Sequence, residues 1–151
     1  MIIQTPLEKL YNWTAKQPEK TFLRQPFNGE WLHFSWNKSE DEVRRMAAYL
    51  RSLNLPPQSK VAIISKNCAH WILADLAIMM AGHISVPLYP TIPADLIRYC
   101  LEHCDAKVAF IGKLDDWSKQ RSGLPDHIKG ISFPLWTETG YENWNDLIAK
   151  T

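Results

Sequence analysis

The side chains best able to do chemistry in this 151-residue chain fall in three short stretches. Cys100, His103 and Cys104 are three and four residues apart, so on a helix they share one face and could offer a metal two thiolates and an imidazole. A closed zinc site needs four ligands, and no fourth stands out in the sequence. The plainer reading makes both thiols small core residues and puts His103 at a helix end. Asp115 and Asp116 are adjacent acids, yet a hard cation needs more converging oxygens than these. Acids at a helix start ordinarily complement its dipole and stay solvated. Cys68 falls near a predicted helix N-terminus, which favours a thiolate, with His70 close in sequence. Residues two apart on a helix do not face one another, so the pair makes a poor nucleophile and base. Asp95, Glu102 and Asp105 read as the solvated side of a helix.

Phosphate chemistry fares no better. The turn Ser65-Lys66-Asn67-Cys68 follows a predicted strand but has no glycine, so its backbone cannot approach a pyrophosphate as a dinucleotide fingerprint requires. Gly112-Lys113 ends like a P-loop, but the earlier glycine would have to stand at position 107, which is lysine, and Leu114 replaces the metal-binding hydroxyl. The tryptophans, seven in all, fall on apolar faces and read as core or interface rather than as stacking platforms for bases. No catalytic, cofactor-binding or metal residue is assigned from the sequence.

The elements that would position any site centre on residues 61–90. Residues 61–65 form a short, uncharged, β-branched run, the pattern of a central strand covered on both faces. Asn67 is the expected cap of the next helix, where Trp71, Leu73, Leu76, Ala77, Ile78 and Met80 surround a single interior charge, Asp75. Gly82 ends it with a residue free to take positive φ, and residues 84–88 return as a second strand in a right-handed βαβ crossover.

Upstream, Thr5-Pro6-Leu7-Glu8 has the form of a capping box and predicts a helix over residues 5–17. Residues 20–25 and 30–35 alternate around Asn28-Gly29, which predicts an antiparallel hairpin with Pro26 at an edge or in a widened loop. Ser35 caps a predicted helix over 36–53 that buries Val43, Met46, Ala47 and Leu50 and keeps Glu40, Asp41, Glu42, Arg44 and Arg45 outside. Downstream, Thr91 is the expected cap of a helix reaching His103, with Leu96, Ile97, Cys100 and Leu101 on its apolar face. Residues 107–111 follow as a third parallel strand, then a short helix carrying Trp117, a candidate fourth strand over 131–136 that Pro134 opposes, and a helix over 141–150. The expected fold is α/β: a mostly parallel sheet of three to four strands flanked by helices, with an N-terminal β-hairpin, in one domain over residues 1–151.

Composition narrows the partners. A hydrophobic fraction of 46% and a net charge of +1 fit an ordinary folded domain without an electrostatic footprint for nucleic acid. No apolar run has the length of a membrane span and the start lacks a signal-peptide pattern, so a cytoplasmic location is expected. Three cysteines without scaffold spacing fit a reducing compartment.

The stretches VAIISKNCAHWILADLAIMMAGHISVPLYPT and IRYCLEHCDAKVAFIGKLDDW resemble the N-terminal part of long-chain fatty acid–CoA ligases, members of the AMP-binding, adenylate-forming superfamily. The upstream EWLHFSWNKSEDEVRRMAAYLRSLNL and the late YENWNDLIAK are similar to elements of that family in the expected places. The resemblance implies an N-terminal subdomain of an acyl-CoA synthetase-like fold. It implies a reaction in which ATP, magnesium and a fatty acid give an acyl-adenylate that coenzyme A converts to a thioester. The family's phosphate loop ending in Pro-Lys-Gly, its later nucleotide motifs and its small C-terminal domain have no counterpart here, so none of its catalytic positions is transferred. The resemblance thus implies an inactive N-terminal fragment of an enzyme roughly four times longer. The expected partner is the remainder of the same polypeptide; the isolated piece is expected to expose an apolar patch and self-associate, and peripheral membrane contact is left open. A fatty acyl-AMP ligase, another adenylating enzyme, or a freestanding non-catalytic assembly module remain alternatives.

Overall fold

The computed structural model describes residues 2–136 and 138–151. Thr5 and Glu8 close the capping box reciprocally, Glu8 N–H donating to Thr5 Oγ1 at 3.2 Å and Thr5 N–H to the Glu8 carboxylate at 2.6 Å. They start α1 (Pro6–Lys16). The hairpin follows as β1 (Thr21–Phe27) and β2 (Glu30–Ser35), turned by Asn28 at φ 51° and Gly29 at φ 78°, the left-handed pair that a tight turn needs. Pro26 stays within β1, opposite Trp31, because this two-stranded sheet leaves an edge where no donor is required. Ser35 Oγ accepts from Lys38 N–H at 3.1 Å and opens α2 (Trp36–Ser52).

The main sheet has five strands, one more than the upper sequence expectation, in the order β4-β3-β5-β6-β7 and parallel throughout. They are β3 (Lys60–Ile64), β4 (Ile84–Leu88), β5 (Val108–Ile111), β6 (Lys129–Ser132) and β7 (Glu142–Asn143). The fourth predicted strand begins at Lys129 and ends at Ser132, before Pro134 could break its ladder. The additional strand pairs two residues with β6 where the sequence reads as helix, and α6 (Trp144–Ala149) starts only after it. The remaining connections are α3 (Ala69–Met80), α4 (Ala94–His103), α5 (Trp117–Gln120) and a 3₁₀ turn over Arg121–Gly123. Gly82 takes φ 81°, and the amides of Gly82 and His83 close α3 onto Met79 O and Ile78 O, each at 3.0 Å.

Strand alternation divides the interior. Val61, Ile63, Val108, Phe110 and Ile131 pack with Leu10, Met46, Leu50, Leu73 and Trp144 from α1, α2, α3 and α6. Ala62, Ile64, Ala109 and Ile111 turn to the opposite face, against Ile97 and Leu101 of α4 and Trp117 of α5.

Several surface and capping assignments are corrected. Asn67 does not cap α3: the N-cap is Cys68, without a side-chain bond, and the Ala69 amide instead donates to Gln25 Oε1 at 2.9 Å from the hairpin. Thr91 does not cap α4, whose N-cap is Pro93. Leu96 is 42% and Trp31 59% exposed, so neither joins the core. Glu42 is the largest departure, because it lies inside at 8% exposure where its place among charged neighbours puts it outside. Its carboxylate accepts from Trp144 Nε1–H at 3.0 Å and lies 3.5 Å from His70 Nε2, which is itself buried. One carboxylate thus joins α2, α3 and α6, and desolvation is offset by a specific donor.

Three substitutions test these ties. Gln25→Ala leaves a buried helix amide without its acceptor and is expected to cost about 1–3 kcal/mol. Glu42→Ala is expected to cost about 3 kcal/mol, whereas Asp41→Ala, at an exposed i,i+4 pair with Arg45, should cost under about 1 kcal/mol. Urea unfolding followed by tryptophan fluorescence measures all three; equal losses for Glu42→Ala and Asp41→Ala would contradict the assignment.

Candidate functional site

A parallel sheet presents loops beyond the carboxyl ends of its strands, and there a ligand is ordinarily met. The loop after β3 is held by the loop after β5. Ser65 Oγ donates to Lys66 O at 2.7 Å and accepts from Lys113 N–H at 2.9 Å, while Lys66 N–H donates to Lys113 O at 2.8 Å. The Ser65 hydroxyl is therefore engaged by backbone rather than by a base. Gly112 serves the same approach: a Cβ there would overlap the Ser65 side chain and the Phe133 ring. Its glycine is a requirement of packing, and no phosphate cradle is formed.

The charged residues singled out from the sequence go separate ways. Asp115 is ion-paired with Lys66, whereas Asp116 lies 3.7 Å from Lys119. Both carboxylates remain largely exposed, at 71% and 67%. Cys68 Sγ lies 3.8 Å from Ser65 Oγ, and burial pushes its thiol above the ordinary cysteine range. The helix N-terminus does not activate it, because desolvation outweighs the bonds that would favour a thiolate. On α4, the His103 ring stacks on Tyr99 with centroids 5.7 Å apart, and Cys104 Sγ lies 3.7 Å from Leu101 O. Among the described residues no group of three or more His, Cys, Asp or Glu side chains is placed to hold a metal.

What the carboxyl edge does form is a cleft of about 570 Å³ between the hairpin tip, the loop after β5, α5 and the side chains of Leu135, Trp136 and Glu138. Phe27 meets the Trp136 ring edge-on at 5.2 Å, and Lys113 Nζ lies over that ring at 4.4 Å from its centroid. Arg121 and Trp117 also line it. On the other side of residues 134–136 a second cleft of about 420 Å³ reaches Ser132 and Thr139, whose hydroxyls bond to each other beside the Tyr141 amide. Gln120, buried in α5, donates to Pro90 O and Ile92 O at 2.9 Å each, so the loop after β4 is tied to the same edge. The sequence showed the three loops but not this cleft. Its walls come from positions as far apart as 27, 113 and 136, which no local pattern connects.

The described edge therefore supplies aromatic walls and cations on a rigid scaffold. Comparison with known proteins accounts for such a scaffold. The family model described as AMP-binding enzyme matches residues 10–139. A long-chain-fatty-acid–CoA ligase of Mycobacterium bovis is 28% identical over 93 residues, covering 62% of this chain and 16% of that protein. A plipastatin synthase of Bacillus subtilis is 33% identical over 102 residues, covering 67% of this chain and 3% of that protein. The acetoacetyl-CoA synthetase structure from Streptomyces lividans superposes with a TM-score of 0.79 at 24% identity, over 95% of this chain and 24% of that one, and shows the shared fold. The chain thus spans less than a quarter of the length of each of these three proteins. With the family match running from α1 to the end of the cleft wall, the chain belongs to the AMP-binding enzyme family of adenylate-forming proteins.

Proposed function

We propose that this chain forms the N-terminal subdomain of an ATP-dependent, AMP-forming acid–thiol ligase, and that the whole protein activates a fatty acid and transfers it to coenzyme A. The observation that carries this reading is the family match over residues 10–139. In the first step a carboxylate oxygen attacks the α-phosphorus of ATP and pyrophosphate leaves. In the second, the coenzyme A sulfur attacks the acyl carbon, its proton is lost and AMP departs. Such chemistry needs donors and cations aimed at developing phosphate charge.

The residues of this chain do not fit a triphosphate or a magnesium ion. The turn after β3 is filled by Ser65, Lys66 and Lys113, and Asp115 and Asp116 pair with different lysines. Both demands fall on the rest of the polypeptide, and no step is assigned to a side chain here. The part played by these residues is to hold the sheet edge against which the remainder of the protein packs. Exposed apolar side chains such as Ile3, Trp13 and Tyr89 favour self-association of the piece by itself, and a cytoplasmic setting belongs to the same proposal.

A second reading has its own support. The 33% identity to the plipastatin synthase favours an enzyme that passes its acyl group to a carrier protein. The two readings differ in the acceptor thiol and share the adenylation step.

Two measurements decide. ATP–pyrophosphate exchange with dodecanoate is expected to be absent for residues 1–151 and present for a polypeptide that continues through the family's phosphate loop. Exchange by the short chain would place chemistry on it after all, and none from the longer one would overturn the ligase assignment. Thioester formation with coenzyme A, set against a phosphopantetheinyl carrier protein, then separates the two acceptors.

A further inference from the structure

The turn of the β1–β2 hairpin carries a chemistry that the scaffold role does not use. Asn28 is the one asparagine of this chain that a glycine follows. Both residues are exposed, and both hold left-handed backbone, at φ 51° and φ 78°. Among the described residues neither the Asn28 side-chain amide nor the Gly29 N–H has a hydrogen-bond partner. The space beside Gly29 is open as well, since an added Cβ would meet nothing within 4 Å. Asn54 makes the contrast. It shares the left-handed backbone, at φ 53°, but Leu55 follows it and its Nδ2–H donates to Ser52 O at 3.2 Å. Asn143 is committed too, its Oδ1 accepting from Asn145 N–H at 2.9 Å.

The backbone nitrogen that follows an asparagine can close a five-membered ring on the side-chain carbonyl carbon. Closure needs a nitrogen not committed to a hydrogen bond and a following residue without a Cβ to crowd the approach. Asn28-Gly29 meets both conditions. We propose that Asn28 is a site of spontaneous deamidation through a cyclic imide. The Gly29 nitrogen gives up its proton to base and attacks Asn28 Cγ; the Cγ–Nδ2 bond breaks, and the side-chain nitrogen takes up a proton and leaves as ammonia. Water then adds to either carbonyl of the ring, and opening gives aspartate or isoaspartate, with no oxidant or cofactor consumed. Aspartate keeps the chain path, because its short polar side chain tolerates left-handed backbone. Isoaspartate instead runs the main chain through an additional carbon, in a turn whose two-residue length sets the register of the hairpin. Either product adds negative charge at the tip of the element whose Gln25 holds the Ala69 amide.

The test is incubation of the folded 151-residue chain in mildly alkaline buffer, with peptide mapping by mass spectrometry at intervals. Asn28 is expected to convert at least about tenfold faster than Asn12, Asn37, Asn54, Asn67, Asn143 or Asn145. Its rate should also fall within about tenfold of that in a free peptide of residues 24–33, because the folded turn does not shield it. Isoaspartate should appear beside aspartate, and in heavy-oxygen water each product should take up a single labelled oxygen. Asn28→Gly, which keeps a residue suited to left-handed backbone, should give no acidic product in the hairpin peptide, and circular dichroism checks that it is folded. Conversion of Asn54 at an equal rate, aspartate without isoaspartate, or a rate more than about tenfold below that of the free peptide would overturn the proposal. None of these outcomes bears on adenylation by a longer polypeptide, so the proposal stands or falls apart from the ligase reading.

Discussion

A parallel sheet must be covered on both faces, and that constraint orders the rest of this structure. β3 lies between β4 and β5, and Val61, Ala62, Ile63 and Ile64 are all fully buried. Alternation sends Val61 and Ile63 to one face and Ala62 and Ile64 to the other, so each face needs its own helical layer. The first layer is the thicker one. It draws on α1, α2, α3, α6 and the hairpin, and it holds Phe110, Phe133 and Trp144 in mutual ring contact at 5.7–6.1 Å between centroids. The second is thinner, built on α4, α5 and the segment reaching Ile128.

Covering two faces brings polar groups inside, and several of them meet partners from far away. Gln25 serves the amide of Ala69, 44 residues on, and Glu42 serves Trp144, 102 residues on. Gln120 serves the carbonyls of Pro90 and Ile92. Each bond fastens one element to another at a point where the apolar contacts alone would permit sliding. They explain how a hairpin outside the main sheet and a short terminal helix come to belong to a single packed unit.

The same packing accounts for the filled turn after β3. In a dinucleotide-binding fold the first βα turn is open, so that phosphate can approach the backbone. Here the loop after β5 occupies that space: Gly112 is pressed against Ser65 and Phe133, and Lys113 bonds to Ser65 and Lys66. The open space is displaced sideways, toward the hairpin tip and Leu135, Trp136 and Glu138.

Elements with local causes were legible in the amino-acid order. The capping box at Thr5, the Asn28-Gly29 turn, the Ser35 cap, Gly82 and the uncharged β3 run each carry a short-range signal, and each is where it was expected. The family wording was likewise legible over almost all of the chain. Whatever depends on a distant partner was settled by packing. An acid at position 42 reads as a surface residue until Trp144 and His70 close over it. Asn67 reads as a cap until Gln25 supplies the acceptor from another strand. A two-residue strand such as β7 has no periodicity to detect and exists only because β6 presents an open edge. The cleft of Lys113, Arg121 and Trp136 was invisible for the same reason: its chemistry arises from the convergence of three loops, and convergence is a property of the packed sheet rather than of neighbouring residues.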